Sequence, residues 1–356
     1  LEMARGEFLL VFDADFVPPS DILHRMIHHF TDEEIGMVQA RWGHLNRNDS
    51  LLTRIEAILL DGHFVVEHTA RNRSGRFFNF NGTAGIWRRS CIESAGGWHF
   101  DTLTEDLDLS YRAQLAGWRF HYLPDIIVPA ELPPTIEAFF SQQYRWTKGA
   151  VQTARKLLPA ILRSALPPQV KREAVFHLTA HVAYPLLLLL GAMLFPTAVL
   201  RSELRSSAVM AVDLVILAST TLSIAAFYLT AEGKERRPWW KTLLLLPLLM
   251  AFGIGISVNN SRAVLDALLG GRGEFVRTPK FGPETKKAPL APTSVGMRRA
   301  YVELGMLAYL SAGALYLAGR GEWLALPFLL LFLLGFLLVV LHLIPTRWRL
   351  APIILA

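Results

Sequence analysis

The chain has 356 residues, 52% of them hydrophobic and 19% charged, with a formal net charge of +6 and a mean hydropathy of +0.32. Soluble domains carry about 25% charged residues and seldom a positive mean hydropathy, so these figures exclude a disordered chain, a small secreted scaffold and an ordinary cytosolic enzyme. The single cysteine, Cys91, excludes a disulfide framework and a cysteine-based zinc site, and fits a reducing compartment. What remains is a membrane protein with room for one further folded domain.

The charge is split along the chain. Residues 1–150 carry 14 basic and 20 acidic side chains, whereas 151–356 carry 22 and 10. The cations of the second half flank apolar runs, as the positive-inside bias of membrane proteins demands, so no nucleic-acid partner is expected.

Leu1–Met3 reads as a helix end, and Glu7–Asp13 as a continuously apolar, buried-type strand that ends in acids. A fold does not normally begin on a central strand. The expectation is a C-terminal portion of a longer protein, with further material upstream of Leu1. Over residues 1–132, strand-like runs at Phe8–Phe12, Gly36–Ala40, Phe78–Phe80 and Trp118–Leu123 alternate with amphipathic stretches at Asp21–Phe30 and Leu51–Glu67. Such alternation predicts an α/β architecture with a mostly parallel sheet.

Pro133-Pro134 opens a basic, aromatic-bearing amphipathic helix that is expected to end near Leu158, before Pro159. Residues 133–172 therefore read as interfacial helices. A membrane bundle should occupy 173–356, with apolar runs at 174–200, 208–230, 242–258, 300–318 and 323–345. A span needs roughly 20 apolar residues, and 242–258 is short and contains Pro247, Gly253 and Gly255. With the first domain cytoplasmic, a crossing there would place the eight cations of 259–299 outside, together with Arg347 and Arg349. The run 242–258 is therefore expected to be re-entrant or interfacial, leaving four spans. Trp239, Trp240, Trp323 and Trp348 lie where interface anchors belong.

Three short motifs carry chemistry. Asp13-Ala14-Asp15 ends the first strand, and a spacing of two on an extended chain puts both carboxylates on one side, where hard oxygens suit Mg²⁺ or Mn²⁺ bridging a diphosphate. An Asp-x-Asp in a turn is also common without a ligand. Thr104-Glu105-Asp106 opens a helix with the apolar stripe Leu107, Tyr111 and Leu115. Thr102 and Glu105 make a capping-box pattern there, and the helix dipole should keep Asp106 ionised as a weak base. In Gln142-Gln143-Tyr144-Arg145-Trp146, the guanidinium can clamp phosphate oxygens and the indole can offer its face to a sugar ring. An interfacial helix with an aromatic anchor is the plainer reading of that segment.

In this order, ahead of a membrane bundle, the motifs resemble those of the processive family-2 glycosyltransferases: cellulose synthase, hyaluronan synthase and, most closely, the cellulose-synthase-like mannan and glucan synthases. The resemblance extends to Phe80–Gly85, Trp87-Arg88-Arg89 and Glu105–Leu109. It implies a GT-A (Rossmann-like) domain, present in part, followed by the interfacial helix and the α-helical transmembrane bundle. It further implies an inverting transfer of hexose from UDP-glucose or GDP-mannose. Asp13 and Asp15 would hold Mg²⁺ or Mn²⁺ and the nucleotide diphosphate, and Asp106 would be the general base. Glu105, Gln142, Gln143 and Arg145 would bind the donor, and Trp146 would stack under the terminal sugar of the acceptor. Phe275-Val276-Arg277-Thr278-Pro279-Lys280 resembles the cytoplasmic gating loop of cellulose synthase, which assigns Phe275, Thr278 and Lys280 to substrate binding; Arg277 departs from that pattern.

The expected partners are thus a nucleotide-sugar donor, a polysaccharide or glycolipid acceptor and the lipid bilayer, with the catalytic domain on the cytoplasmic side. A single-addition glycolipid synthase is the neighbouring alternative. A transporter with a regulatory soluble domain is the distant one, since it has no use for three acidic and amide clusters. His177, His181 and Asp213 fall in or near the expected spans but are too few for a proton relay. Cys91 reads as a buried small side chain.

Overall fold

The computed structural model describes residues 4–204, 207–271 and 300–343. Leu1–Met3 and the gating-type segment with Phe275, Thr278 and Lys280 lie outside the described residues. Contact clustering divides the chain into two units, one of residues 1–181 with 263–285 and one of 182–262 with 286–356.

The first unit contains four strands, β1 (Phe8–Val11), β2 (Ile35–His44), β3 (Gly85–Arg88) and β4 (Arg119–Ala130), in the order β1-β3-β2-β4. Its helices are α1 (Ile22–Ile27), α2 (Leu51–Asp61), α3 (Thr69–Arg73), α4 (Arg89–Ser94), α5 (Glu105–Leu115), α6 (Ile136–Arg163) and α7 (Pro168–Thr179), with a π-helical turn at Gly62–His68. Alternation along the strands sends side chains to two cores. Val38 and Ala40 of β2 and Ile86 of β3 join Ile22, Met26 and Val128 on one face. Met37 and Trp87 join Phe64, Cys91, Leu109 and Phe120 on the other. A sheet covered on both faces explains the unbroken apolar runs of its strands. Burial pushes the Cys91 thiol up to about 12, as an inert core residue requires.

Four expectations are corrected here. The sheet is mixed: β3 runs antiparallel to both β1 and β2, and only β2 and β4 are parallel. Phe78–Phe80 is not a strand; its place in the sheet is taken by Gly85–Arg88. The Phe78 and Phe80 rings are buried, but their backbone N–H groups donate to Gln114 Oε1 and Ser110 Oγ, at 3.2 and 2.8 Å. Side chains of α5 thus satisfy a segment that a strand neighbour would otherwise pair. Third, α6 runs through Pro159 to Arg163, because the break that proline imposes falls in the last turns, on a solvent-facing side. Fourth, Thr104 rather than Thr102 is the N-cap of α5, and no side chain caps it.

In the second unit the helices are α8 (Ala183–Leu204), α9 (Ser207–Lys234), α10 (Trp239–Gly255), α11 (Ser257–Leu268, which continues into the first unit), α12 (Tyr301–Gly319) and α13 (Leu326–Leu343). Gly255 and Gly335 let α10 and α13 cross backbone to backbone: a Cβ at Gly335 would lie 2.5 Å from the Ala251 carbonyl oxygen. Four stretches are long and apolar enough to cross a membrane: Pro168–Leu204, Ala211–Lys234, Trp239–Leu268 and Tyr301–Gly319. Leu326–Leu341 is a shorter apolar helix. By length and composition alone, the helix containing 242–258 belongs with the long ones, since α11 extends it. His177 and His181 pack in the first unit, where His177 Nδ1 lies 2.7 Å from the Tyr111 hydroxyl and His181 Nδ1 lies 3.2 Å from that of Thr147.

Candidate active site

The site is assembled at one end of the sheet by three segments. The first follows β1. Phe16 N–H donates to the Asp13 carbonyl, so Asp13–Phe16 is a turn and not the extended chain expected for the acidic pair. Asp13 is exposed and Asp15 half-buried. The turn is anchored where Asp13 N–H donates to Thr83 Oγ1 at 2.8 Å.

The second segment is the loop Asn81–Ala84. Gly82 and Ala84 have φ of +82° and +58°, conformations that lift the chain over the sheet and that glycine adopts without penalty. Gln39, fully buried in the middle of β2, holds this loop: its Nε2 donates to the carbonyls of Thr83 and Ala84 at 3.1 Å, and its Oε1 accepts from Asn81 N–H at 3.2 Å. A Cβ at Gly82 would lie 3.2 Å from Asp106 Oδ2, so the loop backbone passes directly beside that carboxylate.

The third segment is the start of α5, held by α6. On one face of α6, Gly149, Gln152 and Thr153 dock on Leu103 and Thr104. A Cβ at Gly149 would fall 2.5 Å from Thr104 Cγ2 and 2.7 Å from Thr104 N. Gln152 Oε1 accepts from Leu103 N–H at 3.0 Å, and the Thr104 and Thr153 hydroxyls are 3.3 Å apart. Arg145, one turn before Gly149 on the same face, consequently faces the acids.

Asp106, the second residue of α5, is half-buried. Loss of hydration and the adjacent Glu105 charge push its pKa up to about 7, against the Leu107 N–H bond at 2.8 Å and the Arg145 charge. This reverses the expectation that the helix dipole keeps Asp106 ionised as a weak base: burial and a like charge win. Burial lowers the pKa of Arg145, and the charges of Asp106, Glu105 and Asp13 oppose that shift. Those four groups therefore share one electrostatic site, with Asp106, Glu105 and Asp13 as acids and Arg145 as their counter-charge.

Gln142 and Trp146, four residues apart on α6, face elsewhere. They line a pocket with Phe16, Trp42, His44 and Leu60, in which the Trp42 and Trp146 rings are 6.5 Å apart between centroids. Gln143 is half-buried and makes no hydrogen bond to either group among the described residues.

Among the described residues, one three-ligand group of His, Cys, Asp and Glu has atoms close enough for a metal: His99, Asp101 and Asp108. Its centre is taken by the Lys156 ammonium, 2.8 Å from Asp101, 2.9 Å from Asp108 and 3.2 Å from His99. Arg112 adds a second cation on Asp108 at 2.8 Å. This is an ion-pair cluster that fastens the loop before α5 to α6. Asp13 and Asp15 on the turn after β1 are two hard-oxygen donors, of the chemistry that suits a divalent ion.

Gln39, Ser110, Gln114, Trp42 and His44 escaped the sequence reading. Gln39 leaves a trace, as the one amide inside the apolar run Gly36–Ala40, and Ser110 and Gln114 follow Asp106 at helical spacing.

Residues 8–256 match the family described as glycosyl transferase family group 2, and the chain belongs to that family. Its mixed α/β sheet is of the GT-A type, followed by the apolar helices. The chain is 34% identical over 336 residues to "Probable glucomannan 4-beta-mannosyltransferase 9" of Oryza sativa subsp. japonica, covering 89% of this chain and 60% of that relative. It is 46% identical over 159 residues to "Glucomannan 4-beta-mannosyltransferase 1" of the same plant, covering 44% and 30%. A solved mannosyltransferase from Pyrobaculum calidifontis, in complex with GDP-Man and Mn²⁺, aligns with a TM-score of 0.45 at 18% identity over 76% of this chain and 65% of its own. The chain spans less than two thirds of the length of each of these proteins.

Proposed function

We propose that the protein is a membrane-embedded, inverting glycosyltransferase that moves mannosyl units from GDP-mannose onto a growing β-linked polysaccharide, with its catalytic unit on the cytoplasmic side. The observation that carries this reading is the double presentation by α6. One face sets Arg145 against Asp13, Glu105 and Asp106, and another sets Gln142 and Trp146 into an aromatic pocket. The glucomannan mannosyltransferase names of the relatives support the donor.

Asp106 takes the proton of the acceptor hydroxyl as that oxygen bonds to the anomeric carbon of the donor. The bond from that carbon to the phosphate oxygen breaks, and its electron pair leaves with GDP. Arg145 and Gln143 bind the donor's polar groups, with the guanidinium offsetting phosphate charge. Asp13 and Asp15 would hold Mg²⁺ or Mn²⁺, which neutralises charge on the departing diphosphate. Trp146 supplies an apolar face for the terminal acceptor sugar, and Gln142 a polar contact beside it. Phe275, Thr278 and Lys280, which lie outside the described residues, are assigned to donor binding by the resemblance of their segment alone.

Membranes containing the protein at its full natural length, given labelled GDP-mannose and UDP-glucose separately with Mg²⁺ or Mn²⁺, test this. The expected product is high-molecular-weight, β-mannanase-sensitive label from GDP-mannose. Label confined to lipid extracts would assign a single-addition glycolipid synthase instead. Transfer from UDP-glucose alone would overturn the choice of donor.

A further inference from the structure

The pocket beside Trp146 contains a polar device that the proton-transfer site does not use. His44 is the last residue of β2, and Asp61 the last of α2. His44 Nε2 lies 3.1 Å from Asp61 Oδ1, and Arg47 NH1 bonds to the other oxygen of the same carboxylate. The side chains of His44 and Asp61 are only 3% and 5% exposed. An aspartate paired with an arginine is an acceptor only, so it fixes the imidazole tautomer: Nε2–H donates to Asp61, and Nδ1 carries the lone pair. Among the described residues Nδ1 has no hydrogen-bond partner.

Two indoles, a benzyl ring, two leucines and Pro133 give the pocket an apolar surface, while Glu131, Gln142 and His44 are the side chains on its wall with polar tips. Flat aromatic faces with a few convergent polar groups suit a pyranose, whose C–H face is apolar and whose edge is hydroxylated. Resting on the proposed transferase reading, the geometry points to His44 as a specificity-determining residue for the acceptor: its Nδ1, oriented through Asp61 and Arg47, accepts a hydrogen bond from a hydroxyl of the sugar seated against Trp146. The ring discriminates among acceptors by the position of that hydroxyl, because an epimer that turns the group away leaves a desolvated nitrogen unpaired.

The test is binding of β-1,4-linked manno-oligosaccharides to the purified full-length protein in detergent, by calorimetry, beside steady-state transfer. His44→Phe keeps the ring and removes the nitrogen. It should weaken oligosaccharide binding by about 3- to 10-fold, the size of one lost neutral hydrogen bond, and raise the acceptor KM alike with the donor KM unchanged. His44→Asn returns an acceptor atom near the Nδ1 position and should recover most of the affinity. Equal binding by wild type and His44→Phe, or a change confined to the donor KM, would overturn the assignment of His44 alone. Failure of the wild type to bind any β-linked oligosaccharide would instead overturn the transferase reading on which it rests. If His44→Phe does not fold, the affinity of His44→Asn decides the matter, near-wild-type binding supporting the assignment and loss of binding beyond tenfold contradicting it.

Discussion

Replacing Asp106 by asparagine is expected to lower sugar transfer by about 10²- to 10⁴-fold, the usual worth of a positioned general base. The substitution is nearly isosteric. Its side-chain oxygen can still accept the Leu107 N–H bond that Asp106 Oδ1 accepts at 2.8 Å, and the glycine at position 82 leaves the loop beside it no reason to move. What disappears is the site for the acceptor's proton. The change also removes one of the acids that face Arg145, so donor affinity should hold or rise slightly while turnover collapses. Initial rates at saturating donor, with donor dissociation constants measured in parallel, separate these effects. A rate within threefold of wild type would remove Asp106 from the chemistry.

Gly149→Val should be nearly as damaging for a purely geometric reason. A Cβ at that position already falls 2.5 Å from Thr104 Cγ2 and 2.7 Å from Thr104 N, and the second of these is backbone that cannot rotate away. Branching adds volume where none is free. Overpacking of this kind costs about 1–3 kcal/mol of stability. Relief comes by sliding α6 off the start of α5, which carries Arg145 away from Asp106 and Glu105, and a misplacement of about 1 Å is worth roughly 10²-fold in rate. The melting temperature and kcat of the variant in detergent check both parts. Adding Thr104→Ala should restore them only in part, because it removes Cγ2 and Oγ1 but leaves the amide nitrogen. Wild-type turnover in Gly149→Val would show that the close approach has no role in placing Arg145.

Much of the site was legible because its residues lie in short local motifs. Asp13, Glu105–Asp106 and Arg145 are marked by spacing within a few residues, and the structure brings them to one place. The start of α6 followed from Pro133-Pro134; the structure adds the N-cap Thr135, whose side chain accepts from Ala138 N–H at 3.3 Å. What escaped was non-local. Phe78–Phe80 has strand composition, yet Ser110 and Gln114, some 30 residues on, satisfy its backbone. The main cause of the elevated pKa of Asp106, loss of hydration, is equally invisible in a sequence that places it in the first turn of a helix, although the second cause, the adjacent Glu105 charge, can be read there. The pocket of Trp146 draws on Phe16, the end of β2, Leu60 of α2, the segment Ala130–Pro133 and α6, and no window of sequence holds them all. Membrane propensity was legible throughout. The run 242–258 gained length only from the polar helix after it, whose asparagines and serines mask the continuation.

The central claim, that a carboxylate withdrawn from water takes the acceptor's proton, is tested most directly by the pH dependence of kcat/KM for wild type and Glu105→Gln. A base must be ionised to act, so activity should fall as pH drops through the Asp106 pKa, with a midpoint at about 7 in the wild type. Glu105 is one of the causes that raise that pKa, so removing its charge should shift the acid limb to lower pH. An acid limb near the ordinary aspartate value of about 4, unmoved by Glu105→Gln, would contradict the claim.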